Sequence, residues 1–277
     1  MNNEDKARRP QAMPGTGADA ASPPPHIPDH TLLRRIGKGS YGEVWLARNV
    51  MGTYRAVKLV FRATFQNEHP YEREYSGIQK FEPVSRSHDG LVDILQIGRN
   101  DPAGFFYYVM ELADDQTGQP INTENPDAYV PKTLLSATGQ LGGLPFDECL
   151  RLGLSLASAV GHLHTNGLIH RDIKPSNIIL VNGSPKLADI GLVAGLDASL
   201  SFVGTEGFMP PEGPGTAQAD IYSLGKVLYE ISSGKDRQAY PDPSTRIGHS
   251  ADLEGFLELN EIIFKACANE PQNSDSA

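Results

Sequence analysis

Cysteine is nearly missing from this sequence. Cys149 and Cys267 are its only two, far apart and without partners at the spacing of metal ligands, which argues against a disulfide framework and a zinc site. Both read as small buried hydrophobes, and a reducing, cytoplasmic setting is the expectation. Long apolar runs are missing too. Nothing approaches the roughly 18 residues needed to cross a bilayer, and the first residues lack the apolar middle of a signal peptide, so the chain is expected to be soluble. Basic residues are in deficit, 24 Lys and Arg against 34 Asp and Glu, for a formal charge of −10. That balance argues against a nucleic-acid partner, whose footprint is a cluster of cations. With 39% apolar and 21% charged residues, the composition is that of an ordinary globular protein. Its 277 residues suffice for one large domain or two lobes.

Residues 1–29 are rich in Pro, Gly, Ala, Asn and Asp and show no periodicity, so they read as a disordered tail unable to bury enough apolar surface to offset ordering entropy. From Thr31 to about Met110 the signals are strand-like: LLRRIG, EVWLAR, RAVKLV, LVDILQIG and FFYYVM, with a helical stretch around Tyr71–Phe81 between them. Residues 113–131 are polar and rich in Pro and Asn, too long for a typical connection, and read as a surface insertion behaving as an ordinary mobile loop. Beyond them the pattern turns helical. Leu150, Leu154, Ala157 and Gly161 recur at three- to four-residue spacing, as do Leu253, Phe256, Leu257, Asn260, Ile263, Phe264 and Cys267. Between these helices two short apolar runs meet at Asn182-Gly183, a pair that tolerates the positive φ angles of a tight hairpin.

The segment IGKGSYGEV places Gly37, Gly39 and Gly42 at G-x-G-x-x-G spacing, where missing Cβ atoms let backbone N–H groups approach phosphate oxygens. A dinucleotide-binding fold would need a helix next, but Val44, Trp45, Leu46 and Ala47 continue as a strand. One strand further on, RAVKLV puts Lys58 on the face opposite Val57, toward those phosphates. Downstream, HRDIKPSN (170–177) and ADIG (188–191) set two carboxylates, one amide and two cations beside a hairpin.

Together, in this order, the motifs resemble the eukaryotic-like protein kinase family in its bacterial serine/threonine type, over about residues 31–270. The resemblance implies an α+β, two-lobed fold: a disordered tail over 1–29 and a kinase domain over 30–270, then a polar tail over 271–277. Within the domain it implies a small antiparallel β lobe with one helix (30–110), a hinge (111–113) and a larger, C-terminally short helical lobe (114–270). It implies a Mg²⁺-dependent transfer of the γ-phosphoryl of ATP to Ser or Thr hydroxyls of a protein. Asp172 would accept the proton of the substrate hydroxyl, Lys174 would stabilise the moving phosphoryl group, and Asn177 and Asp189 would hold the metal. Lys58 would pair with Glu74, and Ile78, Ile94, His170 and Ile190 would form a regulatory stack. Val44 and Ala56 would cover the adenine and Ile179 underlie it, with Met110 as gatekeeper and the backbone of Glu111 to Ala113 as hinge. Lys174 and Thr205 mark the serine/threonine branch.

Two departures stand out, Ile190 where the family usually has Phe, and PPE (210–212) for the usual Ala-Pro-Glu. Asp220 would cap the helix that follows and brace the catalytic loop. Residues 189–212 hold four acids and no Lys or Arg, so a phosphate on Ser199 or Ser201 would find few local cations despite Arg171. Ser274 stands where the family has an Arg that pairs with the residue matched by Glu212. The free chain is therefore expected to be marginal, prone to associate, or reliant on a partner covering the short helical lobe. The rival class is a pseudokinase or docking module that binds nucleotide without turnover.

Overall fold

A computed structural model describes residues 24–39, 42–139, 143–189, 194–195, 205–213, 215–242 and 253–268. The alternating apolar runs become five strands: β1 (His30–Lys38), β2 (Gly42–Asn49), β3 (Tyr54–Phe61), β4 (Ile94–Asn100) and β5 (Phe105–Met110). They form one antiparallel sheet in the order β1-β2-β3-β5-β4. All six residues of β5 are buried because each face of the sheet is covered, which is why its sequence is continuously apolar and not alternating. One face carries Ala47, Val57, Leu59, Phe105, Tyr107 and Val109. Ile27, read from the sequence as part of the tail, is buried in that cluster; residues 1–23 lie outside the described residues.

The opposite face meets α1 (Glu68–Ser85), capped by Asn67, whose side chain accepts from the His69 N–H. Its buried residues Tyr71, Glu74, Ile78, Phe81 and Ser85 follow three- to four-residue spacing, a single stripe turned to the sheet. From this stripe the apolar cluster continues into the helical half, reaching Leu134, Leu156, Val227 and Ile263.

That half consists of α2 (Leu134–Thr138), α3 (Phe146–Thr165), β6 (Leu168–Ile169), the hairpin β7 (Ile178–Val181) and β8 (Ser184–Leu187), β9 (Ala194–Gly195), α4 (Ala217–Ser233) and α5 (Leu253–Ala266). Asn182 and Gly183 make the β7–β8 turn with φ of 50° and 74°, the positive-φ pair that the dipeptide calls for. On α3 the periodicity gave the helix but not its buried face. Cys149, Leu152, Leu156, Ala159, Val160 and Leu163 are inside, whereas Leu150 and Leu154 are 42% and 64% exposed. Leu257 and Phe264 of α5 are likewise exposed, while Phe256, Leu259 and Ile263 pack inward. Both cysteines are buried thiols outside any disulfide, and a Cβ on Gly225 of α4 would lie 2.7 Å from Cys267 Sγ, so glycine there permits the close approach of α4 to the end of α5.

One further expectation is corrected. Thr216, not Asp220, caps α4, accepting from the Ala219 N–H. Residues 113–131 lie at the surface as expected, exposed over most of 116–128, with the buried Asp115 and Tyr129 anchoring the two ends. Among the described residues no helix is long and apolar enough to cross a membrane.

Candidate active site

Sheet and helices meet at a cleft of about 440 Å³, lined by the β1–β2 turn, β3, the connection after β5, the 172–177 loop and Asp189. Val44 and Ala56 lie on its sheet side and Ile179 on its helical side, with Met110, Glu111, Leu112 and Ala113 joining them. Gly37 and Gly39 line the cleft, and the Gly39 N–H donates to the Gly42 carbonyl at 2.9 Å. Gly42 is required for another reason: a Cβ there would sit 2.0 Å from the Leu59 carbonyl oxygen, so β2 approaches β3 only with glycine at that position.

Lys58 is 5% exposed and its ammonium is paired with the Asp189 carboxylate. Burial works against its charge, but Asp189, Tyr108 and Glu74 outweigh it and hold the Lys58 pKa well above the ordinary value. Lys58 in turn draws the Asp189 carboxyl below its usual range. The expected pairing of Lys58 with Glu74 is therefore corrected: among the described residues Lys58 forms its ion pair with Asp189 alone. Glu74 is buried beside it with Oε1 lacking any hydrogen-bond partner. Burial lifts the Glu74 pKa to about 7, against the pull of Lys58.

The 170–177 loop is fixed from beneath by Asp220, fully buried inside α4. Its Oδ2 accepts from the His170 N–H and its Oδ1 from the Arg171 N–H, both at 2.8 Å. His164 Nε2 lies 2.9 Å from the same Oδ2. These bonds hold Arg171 at φ 70°, and Asp189 across the cleft stands at φ 58°, left-handed conformations that non-glycine residues keep only where the surroundings impose them. The Asp220 brace expected from the sequence is thus present, although its capping role is not.

Above this support, the Asp172 carboxylate is held on several sides. Lys174 Nζ donates to Oδ2 at 2.7 Å, the Thr205 hydroxyl to Oδ1 at 2.8 Å, and Asn177 Nδ2 to Oδ2 at 2.8 Å and to the Asp172 carbonyl at 2.9 Å. Lys174 also donates to Thr205 Oγ1 at 2.8 Å, closing a triangle. With Nδ2 committed to Asp172, Asn177 keeps Oδ1 as an acceptor, and Asp189 adds a carboxylate on the same cleft. One or two such oxygens, completed by phosphate oxygens and water, are what Mg²⁺ takes. Among the described residues, no hydrogen bond engages the Glu111 carbonyl or the Ala113 N–H.

A profile of the protein kinase domain matches residues 30–275. The chain belongs to this family. Among curated relatives of this kinase domain, the serine/threonine-protein kinase PrkC of Bacillus subtilis is 28% identical over 216 residues, covering 74% of this chain and 30% of that protein. The serine/threonine-protein kinase PknB of Mycobacterium tuberculosis is 29% identical over 276 residues, covering 90% and 41%. The DNA damage-responsive serine/threonine-protein kinase RqkA of Deinococcus radiodurans is 29% identical over 218 residues, covering 74% and 30%. The chain thus spans about a third of the length of these kinases, and its two-lobed α+β fold is the one that the family implies.

Of the stack expected in this kinase fold, Ile78, Ile94 and His170 are buried; Ile190 lies outside the described residues, as do Ser199, Ser201 and Ser274. Glu212 is exposed. Sequence reasoning missed two features of the site. Lys186 of β8 donates to Glu111 Oε1 at 2.5 Å, and the Asp93 N–H donates to the same oxygen at 2.9 Å, so the first hinge residue is anchored to both lobes. Tyr129 and Pro131 from the end of the 113–131 segment, and Thr133 just beyond it, also line the cleft. Neither carries a local signal, because each contact joins distant parts of the chain.

Proposed function

We propose that this domain transfers the γ-phosphoryl group of ATP to serine or threonine hydroxyls of a protein substrate, with Mg²⁺. The observation that carries this reading is the Asp172 carboxylate, fixed by Lys174, Thr205 and Asn177 in one cleft with the Lys58–Asp189 pair. Val44, Ala56 and Ile179 offer apolar faces to the base, and the Glu111 carbonyl and Ala113 N–H offer its polar edge one acceptor and one donor. Lys58 would neutralise phosphate charge from the sheet side of the cleft, and Asn177 and Asp189 would hold the metal. When bound, Mg²⁺ supplies neutralisation of the charge that develops on the phosphates. Asp172 takes the proton of the substrate hydroxyl as its oxygen bonds to the γ-phosphorus and the bond to the departing ADP oxygen breaks. Lys174 stays beside the oxygens of the moving group. Catalysis of this kind is positioning and charge neutralisation, and a carboxylate already oriented by three side chains suits it.

The test is radiolabelled ATP with Mg²⁺ and a generic basic protein substrate. Asp172→Asn should lower kcat by at least about a hundredfold while ATP affinity stays within about threefold. Phosphotransfer undiminished in Asp172→Asn would refute the assignment, and binding of ATP without turnover by the unaltered chain would favour the docking module.

Two buried thiols outside any disulfide support the finer placement in a reducing, cytoplasmic compartment; both thiols should titrate in unfolded protein prepared from native cells, and a recovered disulfide would argue against it. The exposed Leu257, Ile262 and Phe264 of α5 support a protein partner over the helical lobe. Light scattering of the isolated domain should show self-association that Leu257→Glu combined with Ile262→Glu abolishes, and a monomer at high concentration would count against it.

A further inference from the structure

Past the hinge the chain makes an excursion, residues 114–132, that closes on itself and grips both lobes. The Lys132 N–H donates to the Asp114 carbonyl and the Gln116 N–H to the Val130 carbonyl, each at 2.8 Å. At this neck Asp115 Oδ1 accepts from the Thr117 N–H at 2.8 Å and Oδ2 from the Val130 N–H at 2.9 Å. Asp114 holds the β7–β8 turn, its carboxylate oxygens accepting from the Asn182 and Gly183 N–H groups at 2.8 Å each. On the sheet side, the Arg34 guanidinium of β1 donates to the Tyr129 carbonyl. Within this frame the Tyr129 ring turns back to the cleft wall, and its hydroxyl donates to the Ala113 carbonyl at 3.1 Å. The next N–H, that of Asp114, donates to the Leu180 carbonyl at 2.7 Å. The last hinge peptide is therefore held at both ends.

We propose that Tyr129 is a positioning residue that fixes the hinge to present a donor, and not an acceptor, to the base. The proposal rests on the reading that ATP occupies this cleft. A hinge carbonyl without a partner can swing toward a ligand carrying an N–H. Held by Tyr129, the Ala113 carbonyl cannot do so, and the Ala113 N–H is what remains in the cleft. Adenine meets that donor with an unprotonated ring nitrogen, whereas guanine carries N–H at the corresponding position. Tyr129 thereby acts through Ala113 to select adenine over guanine nucleotides, a role for which the excursion supplies the rigid support.

The experiment compares phosphotransfer by the full chain with MgATP and with MgGTP, in the unaltered protein and in Tyr129→Phe, with thermal melting to follow folding. Removing the hydroxyl should raise KM for ATP roughly tenfold, the effect of one hydrogen bond to a buried group. KM for GTP should fall or hold, and kcat at saturation should stay within about twofold. If Tyr129→Phe does not fold, Arg34→Gln, which loosens the same segment from outside the cleft, should narrow the ATP preference in the same direction. Equal changes in KM for both nucleotides, or a lowered melting temperature with the ATP-to-GTP ratio intact, would overturn the proposal and leave ATP binding standing. An unaltered chain that binds no ATP at all would overturn the nucleotide reading itself, and this proposal with it.

Discussion

Glu74 is a carboxyl buried without a hydrogen bond for Oε1, next to a lysine committed elsewhere. Its folded pKa of about 7 lies above the ordinary 4.5, so between those values the folded protein binds more protons than the unfolded chain. Stability from this group is therefore present below pH 4.5 and lost as pH rises through 7. A displacement of that size corresponds to roughly 3 kcal/mol. Glu74→Gln should accordingly raise the melting temperature at pH 8 and change it little at pH 4.5, while reducing phosphotransfer if Lys58 turns to Glu74 during turnover. Equal effects on melting at the two pH values would sink this account. The difficulty of reading Glu74 shows where sequence stops at this scale. Asp172, Lys174 and Asn177 were legible because they lie within one short segment whose spacing alone brings them together. The partner of Lys58 was not, since Asp189 and Glu74 are both acidic and both within reach, and only the placement of α1 decides between them. Tyr129 was invisible because nothing in its neighbours says that its hydroxyl returns to Ala113.

Elements were legible in kind and less so in orientation. The five strands, α1 and the Asn182-Gly183 hairpin follow from patterns with one solution. Helix α3 has two adjacent apolar stripes, and period alone cannot choose between them. The choice falls to close packing: a Cβ on Gly153 would stand 3.1 Å from Leu228 Cδ2, and one on Gly90 would stand 2.8 Å from Ala159 Cβ, so Gly153 and Ala159 let neighbours approach beside Leu152, Leu156 and Leu163, and Leu154 is left outward. The turn after α1 meets α3 through His88 and His162, whose ring centroids are 5.1 Å apart. His88 Nδ1 accepts from the Gly90 N–H at 3.0 Å and Nε2 bonds the Ser158 hydroxyl at 2.9 Å, while His162 Nε2 lies 2.8 Å from Ser87 Oγ. Protonating His88 would replace that acceptor with a donor, and burial together with His162 lowers its pKa below 6.5 against the smaller pull of Asp89. The unfolded chain then binds more protons than the folded one as pH falls past 6.5, so this junction loses stability on acidification. This contribution opposes that of Glu74, so His88→Gln should shift the change in melting temperature between pH 7 and 5.5 toward greater stability at the lower pH. An unchanged slope would refute the assignment.

Across the whole molecule, one apolar cluster runs from Val60 and Phe106 of the sheet to Leu259 and Cys267 of the helical half. The two lobes that the sequence suggested as separate composition zones are therefore joined by core as well as by the hinge. Asp220 lies directly beneath the 170–177 loop, and its place inside a buried helix has a consequence for solvent exchange. The amide protons of His170 and Arg171 are held by its carboxylate, in a loop that would otherwise open by local fluctuation. Release requires α4 to move from its neighbours, which is close to global unfolding. In deuterated water these two amides should keep their protons about as long as the slowest positions of α4, and far longer than those of the surrounding loop. Asp220→Asn, with one acceptor oxygen fewer, should let one of them exchange early. The catalytic loop would then carry its own internal clock, two protons whose lifetime reports how firmly the helical lobe is closed beneath it.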